Sequence, residues 1–292
     1  MDIGFIGIGR MGSVMVANLT RAGHSVVAWD ISNSAVRDVA RLHGAKPADS
    51  VKEAFAGDAV ISMLPNDDAM RSVFLSNDFL STANGGTIHI NMATASVKCT
   101  NDLALAHAAH GIPYVSAPVF GRPEMAAERN LNILAAGDPE VINRIQPLFD
   151  ALGKKTWRLG DNPTQANVAK IAGNLMVACM IESMGEVAAL TSAYKMSPTE
   201  VLNVIVSSLF DVPIYRIYAS LIGESRFEPP GFDMRLGFKD TKLALAAGEE
   251  VNVPLPFASV LRDNYLDALA HGDEMKDWSG ITLVAARRAA LK

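Results

Sequence analysis

Ile3-Gly4-Phe5-Ile6-Gly7-Ile8-Gly9-Arg10-Met11-Gly12 opens the chain with a short apolar run that passes directly into a glycine-rich turn. The run reads as a buried strand, and the helix-periodic residues from Met11 to Leu19 read as the helix after it, with Gly23 just past its end. The glycines have G-x-G-x-x-G spacing. In a strand–turn–helix setting Gly7 permits the tight turn, Gly9 lets the backbone approach a pyrophosphate, and Gly12 lets helix and strand pack closely. Unpaired N–H groups and the helix dipole then face the phosphates. Ser25-Val26-Val27-Ala28-Trp29 is the next strand, and Asp30 follows it, where an acidic side chain accepts hydrogen bonds from ribose hydroxyls. Gly7, Ile8, Gly9, Arg10, Met11, Gly12 and Asp30 are therefore the expected cofactor-binding set. Asp30 repels a 2′-phosphate and Ile31 stands where an Arg would receive one, so NAD is expected ahead of NADP, for which Ser32, Asn33 and Arg37 leave room.

Outward from this stretch, strand-like runs at Ala59–Met63, Thr87–Ile90, Tyr114–Ser116 and Leu131–Leu134 alternate with helical segments. That alternation predicts an α/β Rossmann-type N-terminal domain with a mostly parallel sheet covered on both faces, over residues 1–162. From Thr164 the pattern is helical only: Thr164–Tyr194, Pro198–Leu209, Leu236–Gly248, Pro256–His271 and Asp277–Leu291, with Pro198 and Pro256 suited to first-turn positions. An all-α C-terminal domain over residues 163–292 is expected, for substrate binding and oligomerisation. A long apolar helix at about 164–194 would be buried and join the two halves.

The composition narrows the function. The 292 residues are 49% hydrophobic and 20% charged, with 26 Lys and Arg against 31 Asp and Glu, which excludes disorder as the main state. A weakly acidic chain without a basic run is not expected to bind nucleic acid or a membrane surface. Glu182 and Glu186 interrupt the richest apolar stretch, so no membrane span is expected. Cys99 and Cys179 cannot make a disulfide framework, which points to a cytoplasmic protein. His107 and His110 stand three apart without a third ligand, so no metal is expected.

Phe5 to Asn18, with Met11-Gly12, Met15 and Asn18 beyond the generic glycine pattern, resembles the N-terminal signature of the β-hydroxyacid dehydrogenases. That family includes 3-hydroxyisobutyrate dehydrogenase and glyoxylate/succinic semialdehyde reductases, with 6-phosphogluconate dehydrogenase as a larger relative. Met63-Leu64-Pro65 resembles the family's loop along the cofactor, and Asn91-Met92-Ala93-Thr94 its segment near the nicotinamide, with Ala93 in place of the usual Ser. Lys170-Ile171-Ala172-Gly173-Asn174 resembles the Lys-x-x-x-Asn motif that supplies a catalytic Lys and a substrate-binding Asn. Phe238-Lys239-Asp240 resembles the element whose Lys closes over the cofactor. The resemblance adds Leu64, Pro65, Thr94 and Lys239 to the cofactor contacts and implies a homodimer or homotetramer. Ser116-Ala117-Pro118-Val119-Phe120-Gly121-Arg122-Pro123 departs from the family's Ala-Pro-Val-Ser-Gly-Gly element, so Phe120, Gly121 and Arg122 stand where a substrate carboxylate is usually held.

The chemistry is also legible residue by residue. Asn167, Lys170 and Asn174 break an otherwise apolar helix at offsets of three and four, so they share one face. When hydride reaches a carbonyl carbon, charge grows on oxygen, and an ammonium there stabilises it and then donates a proton. Lys170 is the expected general acid/base and Asn174 the orienting group for a small β-hydroxyacid or semialdehyde. The alternatives are an imine reductase on the same architecture, whose members usually carry Asp or Tyr at the Lys170 position, and a catalytically silent NAD(P)-binding protein.

Overall fold

The computed structural model describes residues 1–76, 79–83 and 85–291. The chain divides into two compact units, Met1–Lys170 and the residues from Ile171 onward. The expected boundary at 162/163 precedes the long helix Thr164–Ala193, whereas the division by packing falls inside it.

The first unit holds β1 (Asp2–Ile6), β2 (Ser25–Trp29), β3 (Lys46–Pro47), β4 (Ala59–Ser62), β5 (Ile88–Asn91), β6 (Tyr114–Ser116), β7 (Val119–Phe120), β8 (Leu131–Ala135) and β9 (Gly153–Arg158). The first six form a parallel sheet in the order β3-β2-β1-β4-β5-β6. The strand order reverses between β1 and β4, which opens a crevice beyond their C-terminal ends, where ligands bind in open α/β sheets. Both faces are covered, so the central strands read as unbroken apolar runs. Ile3, Phe5, Ile61, Ile88 and Ile90 pack into one core with the helix Arg10–Arg21, while Ile6, Val60, Phe55 and Phe74 pack into another. The last expected strand, Leu131–Leu134, does not extend this sheet. It is the middle of a separate three-stranded sheet, antiparallel to β7 and parallel to β9. β9 went unread because Gly153-Lys154-Lys155-Thr156-Trp157-Arg158 is an edge strand with mostly exposed residues, and lacks the apolar alternation that marks a strand.

In the second unit the helices Pro198–Leu209, Pro213–Gly223, Met234–Glu250 and Pro256–Ala270 pack with the later turns of Thr164–Ala193 around Ile181, Leu202, Tyr218, Met234, Tyr265, Trp278 and Ile281. Pro198, Pro213 and Pro256 all occupy first-turn positions. The helix Pro213–Gly223 was not anticipated. The C-terminal segment is a 3₁₀ stretch, Trp278–Thr282, followed by Leu283–Arg288, rather than one helix. Gly248 does not end its helix either: a Cβ there would meet the Val253 carbonyl at 2.7 Å, so that glycine serves close packing inside the last turns.

The long helix departs from one expectation. Its length and composition alone would let it cross a membrane, a test that core helices of soluble proteins also pass. Glu182, one of the two charges in its apolar run, is buried and accepts from the Asn264 amide at 2.6 Å. The helix is not buried throughout: Met176 and Leu190 are 74% and 60% exposed.

Candidate active site

The crevice edge of the first unit collects the glycine loop, Asp30, Leu64, Pro65 and Thr94, because each follows the C-terminal end of a parallel strand. The loop glycines have different reasons to be glycine. Gly7 has φ +99°, and a Cβ on it would lie 2.5 Å from the Met63 carbonyl oxygen. A Cβ on Gly12 would lie 2.0 Å from the Gly7 carbonyl oxygen. A Cβ on Gly9 would meet nothing within 4 Å. The chain's own packing therefore requires Gly7 and Gly12, while Gly9 keeps a face open at the start of the helix Arg10–Arg21, as a pyrophosphate needs. Gly9 and Arg10 are exposed, Met11 is half-buried, and Ile8 is buried.

Asp30 is fixed by the backbone around it. Its carboxylate accepts from the Ile8 N–H at 2.6 Å and from the Ser32 N–H at 2.8 Å. It thus ties the glycine loop to the turn after β2 and also steadies that turn. Ser32 in turn caps the next helix.

Thr94 lies on a loop pinned on both sides. The Asn91 side chain accepts from the Ala93 N–H and donates to the Tyr114 hydroxyl at 3.0 Å. Asn167 donates to the Ala95 carbonyl at 3.2 Å and takes a hydrogen bond from the Ser116 hydroxyl. The first polar residue of the stripe on the long helix is therefore a buried clamp on this loop. Behind it, His107 Nδ1–H donates to the Leu103 carbonyl, so its Nε2 accepts from His89 Nδ1–H at 2.8 Å. His89 Nε2 then accepts from the Ser62 hydroxyl at 2.8 Å. The histidine that lacked a metal partner in the sequence has an imidazole partner in the fold. Burial pushes His107 down to about 4 and lowers His89 well below the usual range, so both rings are neutral near pH 7.

Asn18 explains one family-specific position: its buried amide donates to the Ala126 carbonyl at 2.7 Å, tying the helix Arg10–Arg21 to the short helix Pro123–Ala127. Phe120, Gly121 and Arg122 immediately precede that short helix. Gly121 has φ +148°, and Leu131 fills the space a Cβ would need. The Lys170 ammonium lies 4.6 Å from the centre of the Phe120 ring.

In the second unit the Asn174 amide donates to Asp240 at 2.6 Å, which sets which way round the amide stands. The other Asp240 oxygen lies 3.4 Å from the Lys239 ammonium, an ion-pair contact without hydrogen-bond alignment. Asp240 is 6% exposed and holds both neighbours, a role that only its place beside Lys239 hinted at. Asn174 and Lys239 are thus brought together, through a residue to which the sequence reading gave no role of its own.

Residues 2–160 match the family described as the NAD binding domain of 6-phosphogluconate dehydrogenase. Residues 164–284 match that described as the NAD-binding of NADP-dependent 3-hydroxyisobutyrate dehydrogenase. The chain is 31% identical to the 2-(hydroxymethyl)glutarate dehydrogenase of Eubacterium barkeri, over 97% of this chain and 94% of that one. It is 30% identical to the 3-hydroxyisobutyrate dehydrogenase of Pseudomonas aeruginosa, over 96% and 97%. The solved structure of Mycobacterium tuberculosis 3-hydroxyisobutyrate dehydrogenase with L-serine superposes with a TM-score of 0.87 at 27% identity, covering 97% of this chain and 98% of that one. An imine reductase from a Pseudomonas species superposes at 0.63 and 21% identity, which carries the fold alone. The open face at Gly9, the anchored Asp30 and these matches converge: the chain belongs to the β-hydroxyacid dehydrogenase family and is an NAD(P)-dependent oxidoreductase acting on CH–OH groups.

Proposed function

We propose that Lys170 is the general acid/base for a small β-hydroxyacid or semialdehyde and that Asn174 orients the substrate. The observation that carries this reading is the polar stripe on one helix: Lys170 and Asn174 stand four apart on the face where Asn167, three residues before Lys170, clamps the Thr94 loop. When bound, NAD(P)H supplies the hydride that reaches the carbonyl carbon. The Lys170 ammonium meets the negative charge growing on oxygen and gives it a proton, and in the oxidative direction its neutral amine takes the hydroxyl proton. Asp240 holds the Asn174 amide in one orientation, so that group meets the substrate without reorganising.

The glycine loop, Asp30, Leu64, Pro65 and Thr94 bind the cofactor, with Lys239 as a further contact. Asp30 favours NAD over NADP, because a 2′-phosphate would meet a carboxylate already tied to two backbone amides. Phe120, Gly121 and Arg122 line the substrate side, where the Arg122 guanidinium supplies a forked donor for a carboxylate. A homodimer or homotetramer is in keeping with the exposed apolar residues Met176, Leu190, Val204 and Leu209 on the C-terminal helices. A cytoplasmic location is in keeping with two unpaired cysteines.

The test is an NAD(P)H-oxidation screen over glyoxylate, succinic semialdehyde, tartronate semialdehyde and cyclic imines. Turnover of a semialdehyde, faster with NADH than NADPH, is expected. Turnover of imines alone, or silence on all substrates despite tight cofactor binding, would overturn the reading.

A further inference from the structure

Phe120 stands where the family places a serine, and its surroundings give it a different task. It ends β7 opposite Asn132 of β8, and its ring packs against the cluster of Leu134, Ala136 and Ala166. Ala166 is one turn before Lys170 on the same helix, and its small side chain leaves room for a ring beneath the lysine stem. The Lys170 ammonium lies over that ring, 4.6 Å from its centre, well within the range where an aromatic face attracts a cation. Gly121, at φ +148°, turns the chain immediately after the ring, and backbone pairing of Phe120 with Asn132 sets the position from which the ring projects.

A phenyl ring and a serine hydroxyl do opposite things to a substrate. A hydroxyl donates to a carboxylate or a polar substituent. A phenyl face strips water from such a group and returns no hydrogen bond, whereas an alkyl or aryl group gains by meeting it. The proton carried by Lys170 must reach the reacting oxygen at hydrogen-bond distance, so the substituents beside the reacting carbon meet whatever lies next to that ammonium.

We infer that Phe120 is both a positioning residue for Lys170 and a specificity determinant, selecting β-hydroxyacids or semialdehydes that carry an alkyl or aryl branch beside the reacting carbon. The inference rests on Lys170 being the general acid/base. The ring face holds the ammonium in one place, and the rest of the ring forms an apolar wall against the branch.

Two substitutions separate these roles. Phe120→Leu keeps an apolar wall and removes the ring face. Phe120→Ser removes both and restores a hydroxyl. The substrates are 3-hydroxypropanoate, 3-hydroxyisobutyrate and 2-benzyl-3-hydroxypropanoate, oxidised by NAD⁺ with the full-length protein. In the parent chain kcat/KM rises along this series, by about four-fold for each methylene that meets the ring. Phe120→Leu keeps the rise but loses about five- to twenty-fold in kcat on every substrate, and Phe120→Trp, which restores a ring face, recovers it. Phe120→Ser flattens the rise. A parent chain that prefers 3-hydroxypropanoate, or a Leu variant with unchanged kcat, overturns the inference. Lys170→Ala is measured alongside: if it retains turnover, the reading of Lys170 fails. If Lys170→Ala is inactive while Leu at position 120 changes nothing, only the role of Phe120 fails.

Discussion

Two buried polar clusters, one in each unit, solve the same problem differently. In the first unit, Ser62, His89 and His107 form a one-way chain of hydrogen bonds that ends on the Leu103 carbonyl, and every ring nitrogen in it has a partner. In the second, Glu182 is held by Asn264 through one oxygen only. Among the described residues, the buried side-chain atoms without a hydrogen-bond partner are Glu182 Oε2, Asp240 Oδ1, Thr241 Oγ1, Tyr265 OH and Arg287 Nε, all beyond residue 170. The first chain closes because each imidazole donates through one nitrogen and accepts through the other, with the Leu103 carbonyl as its last acceptor. The carboxylates of the second unit can only accept, and Glu182 and Asp240 each meet one amide through one oxygen. The first cluster is closed; the second keeps buried oxygens on Glu182 and Asp240 without hydrogen-bond partners, where a change of protonation has most leverage.

The comparison can be broken at several points. The largest effect is expected for Gly12→Ala, whose methyl would overlap the Gly7 carbonyl oxygen. It should cost more than about 3 kcal/mol, read by urea unfolding.

Next come opposite responses to pH in the two units. Burial pushes Glu182 up to about 7, against the hydrogen bond from Asn264, with Glu186 adding to the rise. A carboxyl whose pKa is higher folded than unfolded gives stability that is full below about pH 4.5 and is lost as pH rises to about 7. The loss is roughly 3 kcal/mol at most. His107 runs the other way: its depressed pKa gives stability that is full above about pH 6.5 and is lost as pH falls to about 4, with a similar magnitude. Amide hydrogen exchange followed unit by unit should show the second unit loosening from pH 4.5 to 7 and the first loosening from pH 6.5 to 4. Glu182→Gln should abolish only the former, and His107→Gln only the latter. Parallel responses in both units would remove the distinction.

The smallest structural effect is expected at Gly9→Ala. Its methyl enters open space, so Tm should stay within about 2 °C of the parent. The same methyl should weaken NADH binding about ten-fold, because it occupies the approach to the pyrophosphate. A stable variant with unchanged cofactor affinity would show that the open face has another purpose.

What was legible in the sequence follows the same division. The glycine loop, Asp30 and the central strands were readable because local chemistry dictates them: a turn that needs glycine, a buried strand that needs an unbroken apolar run. Partnerships across sequence distance were not. His107 showed no partner because His89 lies 18 residues away, and the two rings meet only once β5 packs against the helix Val97–Ala109. Asp240 has no role of its own in the sequence, because nothing local reveals an amide 66 residues earlier in the chain. β7 and β9 lacked strand signals because one is two residues long and the other is a charged edge. Phe120 was noticed as a departure from the family pattern, but its contact with Lys170 needed the fold.

The central claim is that Lys170 moves the proton. Single-turnover hydride transfer in Lys170→Met, whose side chain keeps the length and loses the charge, tests it most directly. The account predicts cofactor titration close to that of the parent chain and hydride transfer slowed by about 10²- to 10⁴-fold. A transfer rate within about three-fold of the parent would contradict it.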